Sequence, residues 1–332
     1  MYKNKTFQPL LLAVFMAIIT FSCIREDEGD CGVTVRFAYT YNILSADALI
    51  KQVDEVTLCV FGNDGILSQE HSNIITASSP VIRLTDLSSG NYHFVAWAQS
   101  KLVISDQSYF SIPTLKAGVS SIDELTYWMK RETSGIQQHE LNNFLIGMAE
   151  VVIGKGHADV TVELKKVTNK IRVVLLPYAP DGTLDVADYE FSVIDKIGNG
   201  YINYDYTLLS DNQITYLPYY AANLEPEDTG ALSPNEVDRA AVVEINTSRL
   251  LEENAPRLLI TDKKDEGKVI VSMNLPWIIS LMSIDNNFKW SLQEYLDRQD
   301  SYTIMLYFSD YTWMKSQIII NGWVINAKEI DL

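Results

Sequence analysis

Apolar and polar residues alternate with a period of two along most of this chain, a pattern that predicts strands. Val33-Thr34-Val35-Arg36-Phe37-Ala38-Tyr39 is the first such run. Val53–Phe61 is rich in β-branched residues, and Asn63-Asp64-Gly65 after it predicts a tight hairpin. Gly90–Ala98 follows a turn at Ser88-Ser89-Gly90. Phe144–Ile153 and Ala158–Leu164 flank Gly154-Lys155-Gly156. Lys170–Leu176, ended by Pro177, opens a second set. Tyr189–Ile194 and Tyr201–Tyr206 flank Gly198-Asn199-Gly200, which predicts another hairpin. Later runs are Ala241–Ile245, Leu258–Thr261, Val269–Met273, Tyr302–Phe308 and Gln317–Asn326.

Helical signals are fewer. Ser121–Lys130 is one candidate. Pro276-Trp277 through Met282 predicts a short helix with proline in its first turn. Asn287–Arg298 places Trp290, Leu292, Tyr295 and Leu296 near helical spacing. Many short strands broken by turns predict an all-β chain of tandem β-sandwich domains with a few short helices. The glycine turn at 154–156 divides it into residues 33–154 and 155–332. At 332 residues the chain is long enough to bury both cores.

The first thirty residues depart from the alternation. Lys3 and Lys5 precede an apolar run, Leu10–Ile19, followed by Thr20-Phe21-Ser22-Cys23. That run is too short to cross a bilayer, which takes about 20 residues, and it has the proportions of a secretory signal. A small residue directly before a cysteine is what a lipoprotein signal peptidase cuts. Cleavage between Ser22 and Cys23 makes residues 1–22 a signal peptide and Cys23 a lipidated N-terminus. An ordinary secretory signal with an incidental cysteine is the alternative reading, since Thr20 stands where leucine is commoner. Residues 23–32, which carry Glu26, Asp27, Glu28 and Asp30, then read as an acidic tether.

Charge narrows the partners. The chain carries −17, and loss of Lys3 and Lys5 makes the mature protein more negative still. Such a charge repels phosphate backbones, which excludes nucleic acid as a partner, and repels an anionic membrane. Membrane attachment therefore falls to the lipid on Cys23. Cysteine is sparse: with Cys23 acylated, Cys31 and Cys59 remain as a disulfide candidate in an oxidising compartment. The other reading of Cys59, inside Val56-Thr57-Leu58-Cys59-Val60-Phe61, is a small buried hydrophobe.

The search for chemistry finds no catalytic constellation, cofactor site or metal site. His71, His93, His139 and His157 belong to no HExxH motif and have no cysteine or histidine at zinc spacing. There is no GxSxG elbow and no phosphate loop. Asp181, Asp185 and Asp188 around Gly182 do not follow the alternating ligand spacing of a calcium loop, and read as a solvated acidic loop, as do Glu225, Glu227 and Asp228. Carboxylate pairs for glycoside hydrolysis stay open, with nothing to select one pair. Tyr216, Tyr219, Tyr220, Trp277, Trp290, Trp313 and Trp323 fit either a sugar-binding platform or ordinary core filling.

Several segments in order resemble the FimB-type fimbrial anchor family of Bacteroides-like bacteria. They are the acidic stretch into Cys31, Val33–Asn42, Val56–Phe61 with Asp64-Gly65, and Gly90-Asn91-Tyr92 with Ala96-Trp97-Ala98. The second half adds Tyr295–Tyr302 and Ile318-Ile319-Ile320-Asn321-Gly322-Trp323. Cys59 stands where that family usually has an aromatic. The resemblance implies two transthyretin-like sandwiches, no enzymatic activity, and an outer-membrane lipoprotein that binds the basal fimbrial subunit and terminates assembly. It also makes Glu26-Asp27-Glu28 similar to the surface-export signal of those bacteria. The alternatives are a glycan-binding surface lipoprotein, a stalk or accessory subunit, and a lipid-anchored hydrolase.

The C-terminal run Gln317–Asn326 is strongly β-prone and uncharged, an aggregation hazard if left exposed. Either it is buried as the last strand of the second sandwich, or it is donated to a neighbouring subunit, with Ile318, Ile320, Trp323 and Ile325 as candidate contact residues.

Overall fold

The computed structural model describes residues 32–75, 80–101, 108–177, 184–224, 240–285, 289–308, 317–320 and 323–326. The described residues form five sheets. Numbered along the chain, the first sheet runs in the order β10 (Ala158–Glu163), β1 (Val33–Ala38), β4 (Val81–Leu84). It faces a second sheet in the order β11 (Lys165–Lys166), β9 (Phe144–Ile153), β5 (Gly90–Gln99), β2 (Glu55–Gly62), β3 (Leu67–Ile74). Between them lies a core that includes Val35, Phe37, Leu58, Val60, Phe94 and Leu145.

The second sandwich pairs two further sheets. One runs β16 (Tyr220–Leu224), β17 (Ala240–Thr247), β12 (Asn169–Pro177), β20 (Ser301–Phe308), β21 (Gln317–Ile320), β22 (Trp323–Asn326). The other runs β19 (Lys268–Asn274), β18 (Arg257–Asp262), β13 (Tyr189–Asp195), β15 (Ile214–Tyr216), β8 (Ile136–Gln137). The fifth sheet, β14 (Tyr201–Asn203), β7 (Thr126–Met129), β6 (Phe110–Ser111), takes strands from both halves of the chain. The all-β sandwich architecture expected from the alternation is what the chain adopts.

The central strands of the second sheet are buried on both faces, which explains their near-continuous apolar runs. Along β2, Leu58 and Val60 face the first core, while Cys59 and Phe61 face the core of the second half. Along β5, Phe94 and Ala96 alternate in the same way with Val95 and Trp97. One apolar cluster thus runs from Phe61 and Trp97 through Tyr127 and Phe144 to Val173, Ile260 and Leu306. The two sandwiches share it.

Four expectations need correction. Gly154–Gly156 does turn the chain, but β10 after it pairs in parallel with β1, so this turn lies inside the first sandwich. Val167 still donates to the Phe144 carbonyl at 2.8 Å, and the passage to the second sandwich falls between Val167 and β12. Gly147 allows the crossover, since a Cβ there would sit 2.1 Å from the Glu163 carbonyl oxygen. Gly198-Asn199-Gly200 does not close a hairpin: β13 pairs with β18 and β15, whereas β14 pairs with β7. Asp195 Oδ1 accepts from the Ile197 and Gly198 amides, and Gly198 takes φ +87°, which redirects the chain.

Ser121–Lys130 is not a helix. Ser121 and Glu124 cap a single 3₁₀ turn, Ile122–Glu124, after which β7 buries Tyr127 and Met129 and turns Trp128 outward. Period two prevails there over the capping signal. Gln317–Asn326 is two strands, not one. Of the expected helices, α1 (Leu275–Asp285) covers Pro276–Met282, while α2 (Leu292–Arg298) begins at its Ser291 cap, later than Asn287.

Candidate functional site

Attachment would begin at β1. This strand lies between β10 and β4, and Val33, Val35 and Phe37 are almost completely buried. Its start, Gly32, accepts from the Ala158 amide at 3.0 Å, and Val33 pairs with Leu84. The turns β4–β5 and β9–β10 therefore flank the point where the chain enters the fold, and Ser89 Oγ donates to the Gly154 carbonyl at 3.1 Å to tie them together. The expected cleavage pair Ser22 and Cys23, the expected export residues Glu26, Asp27 and Glu28, and Cys31 lie outside the described residues.

Cys59 sits mid-sheet on β2 as a free, fully buried thiol. Burial pushes it well above the ordinary thiol range, with Glu70 adding to the effect. Its side chain faces the shared core, the face opposite β1. That is the environment of a small hydrophobe.

The other end of the chain is arranged differently. β21 pairs with β20 through Ile304↔Ile320 and Met305↔Ile319, and β22 folds back on β21 over four residue pairs. Ile318 and Ile320 thus lie on β21, Trp323 and Ile325 on β22, at the edge of the six-stranded sheet. The backbone of this run is paired within its own chain.

Between the two ends lies a polar seam that no local sequence signal marks. Arg249 grips Asp297 with two hydrogen bonds of 2.7 Å and lies 4.1 Å over the Tyr206 ring. Lys165 stands between Tyr206 and Tyr41, and Arg298 between Tyr41 and Trp290. Aromatic and cationic groups alternate across both halves in this way. Lys166 pairs with Asp300 at 2.7 Å, and the Tyr39 hydroxyl donates to the same carboxylate at 3.4 Å. Burial, then Asp300, raise Tyr39 far above the usual phenol range. Arg131, buried beneath Trp128, pairs with Asp211 of the second half. These partners come from distant parts of the chain, and only the fold brings them together.

Several of the residues weighed for chemistry have structural partners. Asp185 caps the 3₁₀ turn at Ala187, and Asp188 pairs with Lys264 at 2.6 Å. His139 stacks on Tyr109, and His157 reaches Thr34 and Asp159. No group of metal-ligating side chains occurs among the described residues. Asp181, Glu225, Glu227 and Asp228 lie outside them. Tyr216 is buried, Tyr219 donates to Glu244 at 2.6 Å and Trp290 stacks on Arg298, whereas Tyr220 and Trp277 are exposed. A shallow hollow of about 790 Å³ beside Arg249 is lined by Thr207, Leu251, Glu252 and Gln293, and the guanidinium there is already engaged by Asp297.

A family model described as fimbrillin-A associated anchor proteins Mfa1 and Mfa2 matches residues 26–328. The chain belongs to this family. A crystal structure from Bacteroides thetaiotaomicron, described provisionally as a polysaccharide-binding protein, is 31% identical over 90% of this chain and 99% of its own, with a TM-score of 0.75. An adhesin, also so described provisionally, from the same organism is 27% identical over 90% of this chain and 98% of its own, with a TM-score of 0.77. The fimbrial anchor protein Mfa2 of Porphyromonas gingivalis shares the fold at 19% identity, covering 90% of this chain and 99% of its own, with a TM-score of 0.61. No curated protein matches. Family membership makes this a fimbrium-associated protein of the cell surface. Among the described residues no helix is long and apolar enough to cross a membrane.

Proposed function

We propose that this protein is the lipid-anchored base of a fimbrium. It binds the basal fimbrial subunit, holds it at the outer membrane through lipid on Cys23, terminates assembly, and acts by binding alone, without catalysis. The observation that carries the reading is the placement of β1. The strand continuous with the tether is the middle strand of its sheet, with Val33, Val35 and Phe37 buried. A subunit whose first strand fills its own sandwich offers no vacant strand position there to a further subunit, which supports termination. The self-paired β21–β22 edge is the element we assign to the fimbrial partner, by edge pairing or by donation after opening. A single acyl chain binds membranes only marginally, whereas two or more hold stably.

The test is Cys23→Ala in the native host. Loss of membrane attachment, with fimbriae shed into the medium, is the expected outcome; a variant that is processed normally and stays membrane-bound sinks the anchor. A glycan-binding role is the second reading. It draws on the relative described for polysaccharide binding and on Trp128, 38% exposed with Tyr201 edge-on at 5.2 Å. Trp128→Ala that lowers polysaccharide binding but leaves fimbriae attached would favour it.

A further inference from the structure

Chain entry singles out one pole of the first sandwich. Gly32 lies between the β4–β5 and β9–β10 turns, and eight residues lie between Cys23 and it, a reach of at most about 30 Å. Most of the residues that form this pole are small or uncharged. Ser88, Ser89 and Gly154 form its tips, and among the exposed residues of the two turns Asp86 and Lys155 offset each other. The chain as a whole is acidic, with 43 acidic against 26 basic residues. Val152, beside the β9–β10 turn, is 79% exposed although its neighbours Val151 and Ile153 are buried. Leu87 lies half-buried in the adjoining turn.

We infer that this pole is a lipid-facing surface, with Val152 and Lys155 seated at the headgroups of the bilayer that holds Cys23. The inference rests on lipidation of Cys23 and deepens that reading by fixing the orientation of the body. The tether's own carboxylates stay near the surface in any orientation, but an anionic body held within about 30 Å of an anionic surface turns its least charged end inward, which keeps the carboxylates of the fold farther from like charge. An exposed aliphatic side chain beside a lysine fits the interface, where the apolar part enters and the ammonium stays at the phosphates. The second sandwich, joined through the far end of β1 at Tyr39 and Asp300, then points away from the membrane.

The test uses the full lipidated chain in phosphatidylethanolamine–phosphatidylglycerol vesicles that carry a headgroup spin-labelled lipid. Cys31→Ser removes a competing thiol, Cys59 being fully buried, and Val152→Cys or Val269→Cys carries a fluorophore; both valines are exposed. Quenching severalfold stronger at 152 than at 269 is expected. Equal quenching at both positions, in protein that floats with the vesicles, overturns the orientation alone. Protein that fails to float overturns the Cys23 anchor and the orientation with it. Lys155→Glu should reduce quenching at 152 without detaching the protein, and unchanged quenching there would remove the lysine from the surface.

Discussion

The two ends of this chain are built on opposite plans. The first strand, β1, is flanked by neighbours on both sides and drives Val33, Val35 and Phe37 into a core. The last two strands form a hairpin at the rim of the six-stranded sheet, where β21 touches β20 through two residue pairs. An interior strand is fixed by side-chain burial and by two ladders, so its removal costs the whole sandwich. A rim hairpin meets the rest of its sheet through a short ladder on one side only, so its backbone is the more open to re-pairing. β1 is thus structural first, while under the proposed function the C-terminal element is the one that meets the partner.

The contrast is broken most directly at Phe37. Phe37→Ala should lower unfolding stability by about 3–5 kcal/mol through the cavity it leaves, read as a drop in the thermal midpoint. If the midpoint hardly moves, β1 is not the keystone of its sandwich. Next in size is the seam. Removal of one partner from a mostly buried ion pair leaves the other uncompensated, so Arg249→Ala should cost about 2–3 kcal/mol. Because one apolar cluster spans both halves, calorimetry should still show a single transition; two separated transitions would mean that the ends belong to independent domains.

Deletion from Gln317 onward should shift the midpoint far less than Phe37→Ala, yet release fimbriae from cells. A folded truncation that still carries attached fimbriae removes the hairpin from partner binding, and a misfolded one makes it as structural as β1. Alanine at Glu26, Asp27 and Glu28 should leave the midpoint unchanged and reduce protease accessibility on intact cells. The smallest effect concerns Glu244 on β17. Burial opposes its charge, but hydrogen bonds from Lys170 and Tyr219 outweigh burial and hold its carboxyl below the usual range. A lowered pKa stabilises the fold above the unfolded carboxylate value of about 4.3 and is lost as pH falls through the folded one. Acid should therefore loosen the C-terminal sheet by no more than about 1 kcal/mol, and Glu244→Gln should flatten that slope between pH 5 and pH 3.

The sequence revealed most where burial is simple. Doubly buried strands such as β2, β5 and β9 write continuous apolar runs, and β1 writes an alternating one. The exposed edge strand β3 carries Gln69, Glu70, His71 and Asn73, so it has no apolar face to betray it. β7 follows a true helix-start signal at Ser121 and Glu124 and was hidden by it. The Asn321-Gly322 pair between β21 and β22 is a recognised two-residue hairpin signal, and it distinguishes two strands from one. The seam was illegible because Tyr41, Lys165, Tyr206, Arg249, Trp290 and Arg298 meet only through the fold, without any shared spacing.

The position of β1 has a mechanical consequence. If the protein is the anchor proposed above, a filament dragged by flow tugs at the far end of the molecule while the tether holds Gly32, so tension runs lengthwise along β1. Its six residue pairs with β10 and four with β4 lie across that direction, and ladder bonds set across a load must yield together in shear instead of peeling one at a time. The same strand tugged sideways would unzip pair by pair. The fold thus meets drag in its stiff direction, and the weakest joint of the assembly lies elsewhere: at the lipid, or at the grip on the filament.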